Sequence, residues 1–166
     1  MQSISPEIVF RGINAWEEAL PKILDLTKRP LILGRSLNTD NLRIKIQEDL
    51  NDLNLNVISA NLKYDCCYED LSRIKNITKN NHCDSILAVG GGKVLDAGKY
   101  IADQLSLPCV TVPLSAATCA GWTPLSNIYT ESGQFIRDVS LRSCPKILIF
   151  DHKFIQTAPK RTLASG

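Results

Sequence analysis

The chain has 166 residues, of which 44% are hydrophobic and 22% charged, and its formal net charge is +2. That length suits one domain with a sizeable core and is short for two, while the scattered basic residues give no footprint for nucleic acid. No apolar run approaches the ~20 residues of a membrane span. The opening MQSISPEIVF lacks a basic region followed by an apolar one, so a cytoplasmic protein without membrane contact is expected.

Asn14, followed three residues later by Glu17, reads as a capping pair, and Trp16, Ala19, Leu20, Ile23 and Leu24 recur with helical spacing up to a stop before Pro30. Pro30 to Gly34 reads as a short buried strand running into Arg35-Ser36 and the turn residues Asn38, Thr39 and Asp40. Leu42, Ile46, Leu50 and Leu53 mark the next helix, and Leu55 to Ala60 a second strand. Asp65 to Asn80 carries Leu71, Ile74 and Ile77 at helical spacing.

The organising stretch is Ser85 to Tyr100, SILAVGGGKVLDAGKY. Ile86 to Val89 has the uninterrupted apolar character of a strand buried on both faces, and Gly90, Gly91 and Gly92 follow at once. Glycines here let the backbone approach a ligand, and the N–H groups opening the next helix point where a phosphate could sit, with Lys93 adding positive charge. Leu95, Gly98, Ala102 and Leu105 share one side of that helix, Gly98 permitting close packing, while Asp96, Lys99 and Asp103 keep to other sides.

Cys109 to Val112 gives the fourth strand, and Pro113 to Pro124 an ordered loop rich in small residues and hydroxyls. Ser126–Thr130 and Gln134–Val139 flank the turn Glu131-Ser132-Gly133 as a hairpin. Lys146 to Phe150 is a fifth parallel strand, and Thr157-Ala-Pro159 a helix start. The alternation implies an α/β fold: an open, mostly parallel Rossmann-like sheet with helices on both faces plus a β-hairpin. The six cysteines, at 66, 67, 83, 109, 119 and 144, lack zinc-ligand spacing and read as small buried side chains. His82 and His152 stand apart from other ligand types and read as surface or capping residues.

In this reading the glycines occupy the third strand-to-helix connection. The common dinucleotide fingerprint belongs in the first, where only Gly34 follows Leu33. A P-loop fails as well, because Leu87 and Val94 stand where it needs glycine and Ser or Thr. What remains is a glycine-rich phosphate turn of another kind.

AVGGGKVLDAGK, the loop and hairpin VPLSAATCAGWTPLSNIYTESGQF, and the strand PKILIFD resemble the N-terminal half of the iron-containing alcohol dehydrogenase superfamily, with glycerol dehydrogenase the nearest branch. The resemblance implies that Gly91, Gly92 and Lys93 bind the pyrophosphate of a nicotinamide dinucleotide and that Asp96 lies close to it. Leu114, Ala117 and Thr118 match positions holding the adenine and phosphates, Ala117 lacking the hydroxyl of the serine common there. Thr123, Leu125 and Tyr129 match positions near the nicotinamide and its ribose. Arg35 stands where many relatives carry an aspartate that meets the ribose hydroxyls, and this reversal of charge implies NADP(H) favoured over NAD(H). Cys119 replaces an aspartate that touches polyol substrates, which points from glycerol to another small-molecule alcohol, aldehyde or ketone.

The resemblance further implies a divalent metal, zinc or iron, in the full-length protein. Its ligands are expected beyond Gly166, shortly past the closing Leu-Ala-Ser-Gly. Residues 1–158 then form the NAD(P)-binding α/β domain, and residues 159–166 begin a helical metal-binding domain. The 166 residues alone are expected to bind nucleotide weakly and turn nothing over, and homo-oligomers are common in the family. Two other readings stay open: a sugar-phosphate cyclase or glycerol-1-phosphate dehydrogenase of the same superfamily, and a non-catalytic nucleotide-binding domain.

Overall fold

A computed structural model describes residues 5–157. In chain order the elements are β1 (Ile8–Gly12), α1 (Ala15–Leu26), β2 (Pro30–Gly34), α2 (Asp40–Asp52), β3 (Ile58–Asn61), α3 (Tyr68–Asn80) and β4 (Ser85–Gly90). Then come α4 (Gly92–Leu105), β5 (Cys109–Pro113), β6 (Leu125–Tyr129), β7 (Phe135–Ser140), β8 (Ile147–Asp151) and the short α5 (His152–Gln156). Six strands form one parallel sheet in the order β1-β8-β5-β4-β2-β3. The β6–β7 hairpin is antiparallel and separate from it.

The central strands are apolar throughout because both faces are covered, and successive side chains serve opposite layers. Leu31, Leu33, Ile86 and Ala88 join Leu71, Ile74, Leu95 and Ile101 of α3 and α4 in one core. Ile32, Leu87, Val89, Val110 and Val112 join Trp16, Ala19, Ile23, Ile46 and Leu50 of α1 and α2 in the other. Gly98 lets α4 approach β4, since a Cβ there would lie 2.4 Å from the Cβ of Ala88.

Three local expectations are corrected. Strand β1 goes unread in the sequence because it is a sheet edge with alternate residues exposed, so the glycine turn is the fourth strand-to-helix connection in the chain. The second expected strand runs over Ile58–Asn61, because Asn54 at φ 62 closes the end of α2 and the Leu55 amide still bonds the Leu50 carbonyl. Asn14 begins α1 at φ 67 with no side-chain cap. Instead the fully buried carboxylate of Asp151 accepts from the Trp16 amide at 3.0 Å, and from the Lys153 amide at 2.8 Å at the start of α5. A short helix, α5, runs from His152 to Gln156, and the helix start expected at Thr157-Ala-Pro159 runs into residues 158–166, which lie outside those described.

The topology fixes where a ligand can enter. From β2 the chain turns toward the β3 edge, whereas from β4 it turns the other way to β5. The two connections diverge above the carboxyl ends of β2 and β4, leaving the crevice in which open α/β sheets bind ligands.

Candidate functional site

The three glycines between β4 and α4 serve different ends. A Cβ on Gly90 would lie 2.8 Å from that of Val94, and one on Gly92 3.1 Å from Thr118 Oγ1, so packing accounts for both. A Cβ on Gly91 would meet nothing within 4 Å. Its φ of −81° and ψ of −179° are open to any residue. Neither packing nor conformation asks for glycine at 91. Just behind it, Gly92 and Lys93 sit in the first turn of α4, where backbone N–H groups lack carbonyl partners within the helix.

Two clefts meet at this turn. The first, about 270 Å³, is lined by Arg35, Ser36, Thr39 and the run from Val89 to Val94. The second, about 250 Å³, is lined by Gly92, Lys93, Asp96, Thr118, Cys119, Thr123, Leu125, Asn127 and Tyr129, among others. Residues that the sequence marks from four separate segments are thus brought together on either side of Lys93. A larger cleft of about 380 Å³ around Ser106, Cys109 and Arg142 opens at the opposite end of the sheet, where α4 ends and β5 begins. Its helix terminus offers carbonyls, the wrong polarity for a phosphate.

The electrostatics of the turn involve a residue that sequence patterning misplaced. Asp65, assigned to the start of the third helix, lies in the loop ahead of α3 with its side chain 7% exposed. It stands between two cations: Arg35 Nη1 lies 2.7 Å from Oδ1, and Lys93 Nζ 2.5 Å from Oδ2. The Lys93 ammonium also sits 4.6 Å from the centre of the Tyr129 ring, a cation–π contact. Arg35 is therefore not a free guanidinium at the cleft rim.

The rim next to Arg35 is held by buried Arg43. Its guanidinium donates to Thr39 Oγ1, to the Ser36 carbonyl at 3.1 Å and to Asp40 Oδ1 at 2.9 Å. Burial draws its pKa down, and Asp40 opposes that. Gly34 is glycine for its sake, since a Cβ there would lie 2.2 Å from Arg43 Nε.

Asp96 and Lys99, on a side of α4 other than that of Leu95 and Gly98, are buried as an ion pair at 3.1 Å. Burial pushes the Asp96 carboxyl up, and the Lys99 charge and hydrogen bond pull it back. Lys99 also donates to the carbonyls of Thr123, at 3.0 Å, and Leu125, while Ser126 Oγ donates to the Asp96 carbonyl at 2.9 Å. This pair ties the loop and β6 to α4 and so positions the second cleft.

Leu114 is buried in the core, its amide bonded to the Gly90 carbonyl at 2.9 Å, and it lines neither cleft. Ala117 is exposed on the loop, its amide donating to Ser115 Oγ at 3.2 Å. Thr118 Oγ1 accepts from the Ala120 amide at 3.0 Å. Five cysteines are buried, as the sequence suggests, and Cys119 is exposed. Burial raises the Cys66 thiol and pushes Cys109 up to about 12, so both are inert as nucleophiles. Among the described residues no group of three or more His, Cys, Asp or Glu side chains could hold a metal ion, and no helix is long and apolar enough to cross a membrane.

The family model for iron-containing alcohol dehydrogenase matches residues 6–152. An uncharacterized oxidoreductase of Synechocystis sp. is 37% identical over 164 residues, 99% of this chain and 42% of the relative. A glycerol dehydrogenase of Escherichia coli is 33% identical over 162 residues, 98% of this chain and 44% of the relative. The crystal structure of glycerol dehydrogenase from Schizosaccharomyces pombe superposes with a TM-score of 0.86 at 26% identity, over 98% of this chain and 41% of that one. The chain thus spans less than half the length of these relatives.

Proposed function

The chain belongs to the iron-containing alcohol dehydrogenase family, and from that membership we propose that it is the cofactor-binding part of a metal-dependent, NAD(P)-linked dehydrogenase of a small alcohol, aldehyde or ketone. The observation that carries the nucleotide-binding role is Gly91, an open position at a helix N-terminus that the protein itself gives no reason to keep free of a side chain. A bound nicotinamide dinucleotide would supply hydride transfer.

In this reading the pyrophosphate lies on the amides of Gly92 and Lys93, the helix dipole of α4 adding favourable potential. The first cleft takes the adenosine side and the second the nicotinamide side, where Thr123, Leu125 and Tyr129 orient the ring and its ribose. Asp96 holds the second cleft in shape through Lys99. Family membership supports a divalent metal, zinc or iron, in the whole protein, with residues 1–158 serving as the nucleotide domain.

Cys119 is exposed in the second cleft. A thiol there offers no anionic acceptor for a polyol, which supports a substrate other than glycerol. Its test is a screen of alcohols and carbonyl compounds with a longer protein that includes the metal ligands.

Arg35 at the rim of the first cleft supports a preference for NADPH over NADH. Titration calorimetry is expected to give a lower Kd for NADPH, and Arg35→Ala is expected to abolish the difference, at a loss of about tenfold in NADPH affinity. Tighter NADH binding by the unsubstituted chain contradicts the preference. Binding of neither nucleotide contradicts the assigned role.

A further inference from the structure

We propose that Asp65 is the counter-ion that limits how far this cleft favours a 2′-phosphate, a role that rests on the nucleotide-binding reading. Its carboxylate is almost wholly buried, whereas its two partners, Arg35 and Lys93, are 44% and 38% exposed, so the cations form a layer between the carboxylate and solvent. The hairpin tip approaches the same carboxylate: a Cβ on Gly133, which sits at φ 84, would come within 3.3 Å of Asp65 Oδ2.

The Arg35 contact is close yet undirected. Nη1 lies 2.7 Å from Asp65 Oδ1, but that oxygen receives no hydrogen bond of proper geometry. Charge holds the guanidinium, while its planar fork is not committed to the carboxylate. Two cations and one carboxylate leave a single net positive charge beside the glycine turn, and a pyrophosphate on the turn already draws on it. A 2′-phosphate requires the charge of Arg35 as well. Asp65 competes for that charge, and it does so firmly because a buried carboxylate stripped of partners is costly. The Lys93 ammonium, held by both Asp65 and the Tyr129 ring, is the less available of the two. Arg35 is therefore the group over which Asp65 and a ligand phosphate contend, and Asp65 sets the outcome.

The test titrates the 166-residue chain by calorimetry with 5′-AMP and with adenosine 2′,5′-bisphosphate, which differ only in the 2′-phosphate. Asp65→Asn keeps the shape and removes the charge, and Asp65→Ser is a second, smaller charge-free variant. Either is expected to raise the preference for the bisphosphate about tenfold over the unsubstituted chain. Asp65→Glu is expected to keep the original ratio, and Arg35→Ala combined with D65N to show the ratio of R35A alone. An unchanged or reduced preference in D65N and D65S overturns the role of Asp65 and leaves the nucleotide reading standing. Unfolding of both charge-free variants while D65E folds makes Asp65 a scaffold residue and likewise overturns it. If neither probe binds the unsubstituted chain or any charge-free variant, the phosphate site itself is refuted and this role with it.

Discussion

Gly91→Val is expected to leave the fold intact and to weaken nucleotide binding by at least about a hundredfold, the scale of losing charge-assisted contacts to backbone amides. The two halves of that expectation come from separate observations. A Cβ at 91 meets nothing within 4 Å, and the backbone angles there lie in the extended region. Thermal unfolding of the variant should therefore shift by only a degree or two, roughly the effect of a ~0.5 kcal/mol surface substitution. The branched side chain would nevertheless stand over the amides of Gly92 and Lys93 where a phosphate must sit. A loss of binding accompanied by a large loss of stability would mean that Gly91 is structural, and undiminished binding would move the phosphate elsewhere.

Gly98→Ala is expected to have the opposite signature: a large loss of stability, about 3 kcal/mol, with no direct effect on the nucleotide. The new Cβ would lie 2.4 Å from that of Ala88, at the centre of the sheet, with Ile86 Cγ2 at 3.4 Å and the Ala88 Cα at 3.5 Å behind it. Helix and strand cannot both stay in place. The remedy follows from the same geometry, since Ala88→Gly removes the one atom in severe conflict. Urea unfolding of G98A, A88G and the double variant should show a strong favourable coupling between the two positions. Independent, additive losses would show that Gly98 is constrained by something other than its contact with β4.

These two glycines also show what a sequence can disclose. Close packing at Gly98 was legible because helical spacing puts it on the same side as Leu95 and Ala102, whereas its partner Ala88 comes from the fold. The strands Pro30–Gly34, Ser85–Gly90 and Cys109–Pro113 were legible because burial on both faces leaves an unbroken apolar run. At the edge the same signal fails, and Ile8–Gly12, half exposed, looks like any amino-terminal segment.

The candidate site was half legible. Gly92, Lys93, Asp96, Thr118, Cys119, Thr123, Leu125 and Tyr129 do line one cleft, and Arg35 and Gly91 the adjoining one. Asp65 was not, because acidic residues just ahead of apolar positions at helical spacing read as the exposed start of a helix. Its meaning lies in contacts with Arg35 and Lys93, which only the fold brings to it. The pairing of Asp96 with Lys99 was illegible for a related reason. Helical periodicity separates the side facing the sheet from the rest, yet here the hairpin and the Pro113–Pro124 loop cover a second side, and that side buries its charges as a pair. Leu114, carried over by resemblance, has its side chain in the protein's own core.

The most direct measurement is a titration of the isotopically labelled chain with NADPH, followed by amide chemical shifts, which registers weak binding as well as strong. The amides of Gly91, Gly92 and Lys93 should shift first and furthest, followed by Arg35 and by Thr123 to Tyr129, while those of Ser106, Cys109 and Arg142 around the larger cleft at the far end of the sheet stay still. Shifts centred on that far cleft, with the glycine turn unmoved, would contradict the account.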